Sequence, residues 1–232
     1  MDGLARLYGR RKGKPLKPHQ AVLMETLMPR VRLDAPAAGV RLDPARLFPF
    51  QPKAVWMEVG FGAGEHLAAQ AAANPDIGFI GCEPFLNGVA SLLTHMEAQE
   101  LTNIRIVPDD GRPILEALPE ASIHRFFLLF PDPWPKTRHH KRRFINPRNL
   151  DLLARVLTDG AELRFGSDAM PYVAWTLEHL TADERFDWLV QGPADWRARP
   201  EDWPSSRYEQ KALAEGRPCA YLRFTRKPRQ NT

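Results

Sequence analysis

The feature that most constrains the fold of this chain is a series of short apolar runs, each followed by a helical pattern. We predict strands at AVWMEVG, IGFIGCE, NIRIVPD, HRFFLLFPDPW and AELRFGSD, which begin at residues 54, 77, 103, 124 and 161. Helices are predicted over 64–73, 86–99, 146–157 and 169–181. Apolar strands that alternate with helices indicate a parallel sheet covered on both faces.

The segments around these units are less regular. Residues 184–190 and 219–227 are predicted as two further strands, and the long segment between them is of the kind that often has a functional role. Residues 21–28 are predicted as a short helix and 29–53 as loops and turns. Residues 1–20 form a basic arm, RLYGRRKGKPLKP at its centre, which we expect to be flexible. The whole chain, 1–232, is predicted to be one domain.

Composition excludes several classes of protein. The chain is 44% hydrophobic and 26% charged, as soluble globular proteins are. No apolar run approaches the roughly 18 residues of a membrane span, and no secretory h-region begins the chain, so we expect a cytoplasmic protein without a membrane partner. Cys82 and Cys219 are expected to be reduced thiols, and without metal-like spacing they predict no metal site.

Positive charge is concentrated in three segments. The net charges are +5 over residues 1–20, +6 over 133–148 and +4 over 223–232, although the whole chain carries only +4. The remaining residues therefore have an excess of acids. Three basic clusters on an otherwise acidic chain favour a polyanionic partner such as nucleic acid over a solvated face.

The end of the first strand predicts a small-molecule site. Gly60, Gly62 and Gly64 allow a sharp turn and the close approach of a ligand, and Glu83 ends the second strand, where an acid accepts ribose hydroxyls. The G-x-G-x-G spacing differs from the G-x-G-x-x-G of dinucleotide folds. Glu58, which precedes the glycines, would repel a diphosphate and suits a cationic ligand such as S-adenosylmethionine.

Two further acids follow the third strand. Either Asp109 or Asp110 would meet the adenine amino group of such a ligand. The alternative is that Glu58 and Asp110 only cap turns.

The stretch FPDPWPKTRHHKRR, residues 130–143, joins one acid to five Lys or Arg side chains. Ligands bind at the carboxyl ends of the strands in such sheets, which places Asp132 beside the expected methyl donor. The flanking prolines fix its backbone. Trp134 is expected to stack on a base, and the cations to hold phosphates. The alternative is a proline-rich turn with a solvated basic face.

These motifs identify the chain as similar to bacterial tRNA (guanine-N7)-methyltransferases. The matching elements are MEVGFGAGEHL, IGCEPF, the third-strand DDG, FPDPWPKTRHHKRR, FGSDAMPY and SRYE, in family order over nearly the whole chain. The resemblance implies a Rossmann-like class I methyltransferase fold: a seven-stranded, mostly parallel sheet with helices on both faces and an antiparallel last strand. It also implies methyl transfer from S-adenosylmethionine to a guanine at position 46 of the tRNA variable loop.

The resemblance further implies roles for individual residues. Cofactor contacts are expected from Glu58, Gly60, Gly62, Gly64, Glu83, Asp110 and Asp132. Asp132 is also the expected catalytic residue, and substrate contacts are expected from Lys136, Asp168, Ser206, Arg207, Tyr208 and Glu209. Two positions depart from the family pattern: Ser206 stands for the usual threonine and Gly111 for a common alanine.

Guanine N7 needs no general base to attack a methyl sulfonium, so we expect catalysis by positioning. Asp132 and Glu209 are expected to accept hydrogen bonds from the guanine N1–H and 2-amino edge. The RNA backbone is expected to contact Arg138, His139, His140, Lys141, Arg142 and Arg143. Three alternatives remain: a methyltransferase for an exocyclic amine, a non-catalytic RNA-binding domain and a nicotinamide oxidoreductase, which the glycine spacing and Glu58 disfavour. No obligatory protein partner is evident, and the sequence leaves the oligomeric state open.

Overall fold

The protein is described here by a computed structural model that covers residues 11–230. Seven strands form one sheet in the order β3-β2-β1-β4-β5-β7-β6. Their bounds are β1 Ala54–Val59, β2 Ile77–Cys82, β3 Ile104–Val107, β4 Ile123–Leu129, β5 Leu157–Ser167, β6 Phe186–Trp188 and β7 Ala220–Arg226. Only β7 runs antiparallel to its neighbours, β5 and β6. The predicted seven-stranded sheet with an antiparallel last strand is therefore confirmed.

Nine α-helices lie within residues 11–230. They are α1 Pro18–Thr26, α2 Met28–Val31, α3 Glu65–Ala73, α4 Leu86–Ala98, α5 Arg112–Ala117, α6 Pro147–Val156, α7 Met170–Ala182, α8 Ala194–Arg197 and α9 Arg207–Ala214. The four helices predicted between the strands correspond to α3, α4, α6 and α7. None of the helices in this part of the chain has the length and apolar character needed to cross a bilayer.

The two faces of the sheet are covered differently. Residues of α5, α6 and α7 pack on one face in the largest apolar cluster. On the other face, α1 to α4 cover the β1–β3 half. The β4–β5–β7 half of that face is covered by the segment between β6 and β7, whose Trp203 packs against Phe127 and Tyr221. This segment, predicted as irregular, contains α8 and α9.

The second half of the basic arm makes hydrogen bonds to the rest of the protein. Residues 1–10 lie outside the described part. Leu86 N–H donates to the Arg11 carbonyl, and Gly13 N–H donates to the Asn87 side chain at 2.8 Å. Helix α1 then begins at Pro18. Residues 11–17 are thus held against the beginning of α4, and the predicted helix starts three residues earlier than expected.

Candidate active site

The glycines after β1 adopt the conformations that the turn requires. Gly60, Gly62 and Gly64 have φ angles of 76°, 59° and 84°, a left-handed region that costs other residues free energy. The chain thereby reverses from β1 into α3, with Gly64 as the N-cap residue. The sharp turn predicted from the sequence is confirmed.

Glu83 connects this glycine turn to the end of β2. One of its oxygens accepts a hydrogen bond from Gly62 N–H at 2.8 Å, and the other accepts one from Phe85 N–H at 2.9 Å. Burial raises the pKa of Glu83 to about 7, against the opposing effect of these two backbone donors. The carboxyl groups of Asp132 and Glu58 add to the rise. Glu83 is therefore a fixed acceptor whose charge changes near neutral pH.

Helix α4 approaches the glycine turn at Gly88, a residue that the sequence analysis missed. A Cβ atom at Gly88 would lie 2.1 Å from the Gly62 carbonyl oxygen, so only glycine permits this distance between the two backbones. The signal was present in the sequence, since a glycine inside a predicted helix indicates close packing.

Glu58 faces a partner within the protein. It is buried, and one of its oxygens lies 2.7 Å from Nδ1 of His66, itself buried in α3. Gln70 lies next to His66 in the same helix and donates to the Asp202 carbonyl at 2.8 Å. The predicted contact between Glu58 and the cofactor stays a prediction. The series of polar contacts from Glu58 to residue 202 was not predicted from the sequence.

Both acids after β3 border one small cavity. Asp109 is exposed and pairs with Arg11 at 2.8 Å, whereas Asp110 is partly buried and pairs with Arg112. The cavity has a volume of about 130 Å³ and is also lined by Val59, Gly60, Pro84, Gly111 and residues 141–144. A Cβ atom at residue 111 would lie 2.9 Å from the Val59 side chain, which accounts for a glycine where the family often has alanine.

Asp132 lies just beyond the end of β4. Phe130 and Trp134, on either side of the PDP segment, have φ angles of 49° and 44°, unusual for residues with side chains. Within residues 11–230 the Asp132 carboxylate has no hydrogen bond or ion pair, and it pairs with neither Lys136 nor Arg138. Its side chain is open to solvent on one side, yet burial on the other side raises its pKa. The acid is therefore unpaired and available to a ligand.

The basic residues after Asp132 form a 3₁₀ turn over Thr137–Arg142. Lys136, predicted to bind the substrate, is exposed. Arg138 and Lys141 are also exposed, as their predicted contacts with the RNA backbone require. His139 and His140 are half-buried beside aromatic rings, those of Trp134 and Trp175 respectively.

Two residues of this stretch differ from expectation. The Arg142 guanidinium lies 4.8 Å from the ring centre of Trp134, so in this structure the ring predicted to stack on a base packs on an arginine. Arg143 is only 2% exposed. A contact with the RNA backbone was predicted for it, whereas in this structure its guanidinium donates to the Pro133 and Pro171 carbonyls inside the protein.

The remaining predicted substrate residues gather around α9. The Ser206 hydroxyl caps α9 by accepting a hydrogen bond from Glu209 N–H at 3.3 Å. Arg207 pairs with Glu65 at 2.7 Å, and Asp168 pairs with Arg217 at 2.7 Å.

Tyr208 extends over the glycine turn. A Cβ atom at Gly62 would lie 2.7 Å from its ring, and burial raises the pKa of its hydroxyl. The charges of Glu83 and Asp132 also raise this pKa, so both acids lie near the same side chain.

Glu209 is the most buried acid near the site. One of its oxygens accepts a hydrogen bond from the Tyr221 hydroxyl at 2.5 Å and forms an ion pair with Arg199, whose Nε lies 3.0 Å away. The other oxygen, Oε2, is buried without a partner among the described residues. A buried acceptor of this kind is available to a donor from a ligand. Arg199 and Tyr221, which hold Glu209, were not identified from the sequence.

The strand order and the glycine turn, with acids near the carboxyl ends of β1, β2 and β4, define a class I methyltransferase fold. Solved structures agree. The 16S rRNA methyltransferase KamB superposes with a TM-score of 0.54 at 16% identity, covering 77% of this chain and 90% of that one. A 16S rRNA (adenine(1408)-N(1))-methyltransferase from Catenulisporales acidiphilia, solved with its cosubstrate SAM, has a TM-score of 0.50 at 17% identity, covering 78% and 89%. These identities support the fold alone.

Sequence relatives give the family. A family model described as "Putative methyltransferase" matches residues 52–222. Proteins from Rhodospirillum rubrum and Brucella melitensis are 53% and 47% identical to this chain, covering 97% and 98% of it and 89% and 97% of their own lengths. Both are named tRNA (guanine-N(7)-)-methyltransferase. The chain belongs to the tRNA (guanine-N(7)-)-methyltransferase family, as its motifs predicted.

Proposed function

We propose that this protein transfers a methyl group from S-adenosylmethionine to N7 of a guanine in tRNA, at position 46 of the variable loop. The observation that carries the proposal is the unpaired Asp132 carboxylate. It lies at the carboxyl edge of the sheet, with the glycine turn and Glu83 near it and exposed cations following it.

The residues around the glycine turn fit the proposed cofactor. Each oxygen of Glu83 accepts one hydrogen bond from a backbone N–H. Each has a further lone pair that can accept a hydrogen bond from a ribose hydroxyl. Asp109 and Asp110 border a cavity next to Gly60 and Pro84, where an adenine amino group would meet a carboxylate. When bound, S-adenosylmethionine supplies a methyl group on a sulfonium centre.

The protein side of the reaction is positioning and charge stabilisation. Guanine N7 has an in-plane lone pair, so no residue removes a proton before it attacks. Asp132 accepts hydrogen bonds from the N1–H and 2-amino edge of guanine, and Glu209 supplies a second acceptor through Oε2. A carboxylate on that edge also stabilises the positive charge that N7 methylation places on the ring. Adenine lacks this pair of donors.

The substitution Asp132→Asn tests the proposed catalytic acid. At saturating tRNA and cofactor, we expect kcat to fall about 100-fold, the scale for losing one preorganised electrostatic contact. Asp187→Asn, at an exposed acid of β6, serves as the control and should leave kcat unchanged. Turnover of Asp132→Asn at the wild-type rate would refute the role of Asp132.

The methylated atom and nucleotide are tested separately. The protein is incubated with labelled S-adenosylmethionine and total tRNA, and the nucleosides are then analysed. We expect N7-methylguanosine, and a tRNA transcript with adenine at position 46 should accept no label. A methylated exocyclic amine would instead support the alternative class of methyltransferase.

A further inference from the structure

Arg143 differs from the basic residues that precede it. Lys136, Arg138 and Lys141 are exposed, whereas Arg143 is 2% exposed. A guanidinium removed from water needs partners that replace its hydration. Those partners identify what this side chain does.

The guanidinium joins the Asp132 segment to α7. Its Nε donates to the Pro133 carbonyl at 3.1 Å, and its Nη1 lies 3.4 Å from the Pro171 carbonyl. The rings of Tyr172 and Trp175, both in α7, lie 4.9 and 5.2 Å from its central carbon. Two carbonyls and two rings thus fix the plane of the guanidinium.

The segment around Asp132 can form few backbone hydrogen bonds of its own. Pro131, Pro133 and Pro135 have no backbone N–H groups, and the residues at positive φ on either side keep the chain out of its preferred conformations. Strained backbone persists only where its surroundings hold it. The bond from Arg143 to Pro133, the residue directly after Asp132, is such a restraint.

We propose that Arg143 is a positioning residue that holds the Asp132 carboxylate in its catalytic orientation. It does so through the Pro133 carbonyl and contacts no RNA phosphate. The inference depends on the proposed role of Asp132. It also explains the residue type: a planar guanidinium can bridge two carbonyls while stacking on aromatic rings, and an ammonium cannot.

The experiment compares Arg143→Lys with two other substitutions, in steady-state kinetics and in equilibrium binding of tRNA and cofactor. For Arg143→Lys we expect kcat to fall at least 10-fold, with both dissociation constants within about twofold of wild type. Arg138→Gln should show the opposite pattern, weaker tRNA binding with kcat retained at saturation. Arg46→Lys, at an exposed arginine, should match wild type.

A double-mutant cycle shows whether Arg143 acts through Asp132. In the Asp132→Asn background, Arg143→Lys should lower single-turnover rates less than twofold, because the group it positions is already gone. An equal loss in both backgrounds would overturn the inference. So would weaker tRNA binding of Arg143→Lys with normal kcat, which would indicate a phosphate contact. If Asp132→Asn itself had normal kcat, the proposed function of that acid would fail instead.

A second variant guards against misfolding. If Arg143→Lys does not fold by circular dichroism, Trp175→Phe keeps Arg143 and loosens the surface on which it stacks. We expect a smaller fall in kcat, about threefold, with tRNA and cofactor affinities unchanged. A folded Trp175→Phe with normal kcat would contradict the positioning role.

Discussion

Glu83 shows how one residue can serve both the fold and the ligand. Its carboxylate accepts a hydrogen bond from Gly62 N–H in the glycine turn and another from Phe85 N–H, just before α4. The same burial that gives these bonds their strength raises its pKa to about 7. For a carboxyl group with a raised pKa, the charged form is destabilised in the folded protein, so this group's contribution to stability decreases as pH rises between about 4.5 and 7.

This pKa predicts pH-dependent cofactor binding. Ribose hydroxyls donate hydrogen bonds, so they favour the ionised Glu83, and binding at pH 6 must first remove a proton. We expect the dissociation constant for S-adenosylmethionine to rise about 10-fold from pH 8 to pH 6, which calorimetry would measure. Glu83→Gln should bind more weakly at both pH values, without this rise. An equal rise in the variant would show that another group titrates.

The burial of Arg143 could not be predicted from the sequence. Asp132 could be identified because a carboxylate between prolines is rare and its position at the end of a strand is readable. Arg143 could not be distinguished from Arg138, since both stand in one basic run. Only the contacts of Arg143 with α7 and with the Pro133 carbonyl distinguish this buried cation from an exposed one.

Among the elements, α4 packs directly against the glycine turn. Gly88 lies in the first turn of α4, and the missing side chain lets the Gly62 carbonyl approach. The geometry of the glycine turn therefore depends on a helix that lies beyond the next strand in the chain.

Gly88→Ala tests this dependence. The added Cβ would clash with the Gly62 carbonyl oxygen. Because this oxygen belongs to the backbone and not to a flexible side chain, the glycine turn itself must shift. We expect cofactor affinity to fall at least 10-fold, measured by calorimetry. Gly192→Ala, with nothing within 4 Å of the added Cβ, is the matched control and should bind normally.

The segment that carries α8 and α9 is anchored by charge. Arg164, buried in β5, pairs with Glu162 beside it and with Asp202 of the segment at 2.6 Å. Arg125 also lies within ion-pair distance of both acids. These contacts hold the chain just before Ser206, where the predicted substrate residues begin.

Asp202→Asn should loosen this anchor. Asp202 is half exposed, so its loss costs less than a fully buried pair, and we expect the free energy of unfolding to fall by about 1–2 kcal/mol. Urea denaturation would measure it. Asp151→Asn, at an exposed acid paired with Arg185, should change it by less than about 0.5 kcal/mol.

The elements differ in how well the sequence predicts them. The strands and the helices α3, α4, α6 and α7 were predicted because apolar periodicity survives in their sequences. Helices α2, α5, α8 and α9 were not predicted: α2 and α5 are short and contain a proline, and α8 and α9 lie in a segment whose sequence suggests turns. The burial of Arg164 in β5 was not predicted either, because Asp202 and Trp203, which cover it, lie far away in the sequence.

Across the whole molecule, the proposed RNA cations lie beyond the carboxyl edge of the sheet. They follow β4, on the same side as Asp132, while Lys53 precedes β1 and lies at the opposite edge. A polyanion bound at the first edge would bring its bases to the acids and its phosphates to the cations.

The combined substitution of Lys136, Arg138 and Lys141 by glutamine tests this surface. We expect weaker tRNA binding and a salt dependence of log K reduced by about 2 in slope, since each phosphate contact contributes about 0.7–0.9. Cofactor affinity should stay unchanged. Lys53→Gln is the control. An equal loss of tRNA binding in this variant would mean that positive charge promotes binding wherever it lies on the protein.

The place of β7 between β5 and β6 has a consequence for synthesis on the ribosome. Strands β1 to β5 can pair as they emerge, whereas the outer edge of β5 stays open until residues 220–226 have been made. Tyr221, which holds Glu209, arrives in that same last strand. We therefore expect nascent chains stalled before β7 to form the glycine turn but to have an unprotected edge strand, a state that chaperones recognise and that pulse proteolysis would detect.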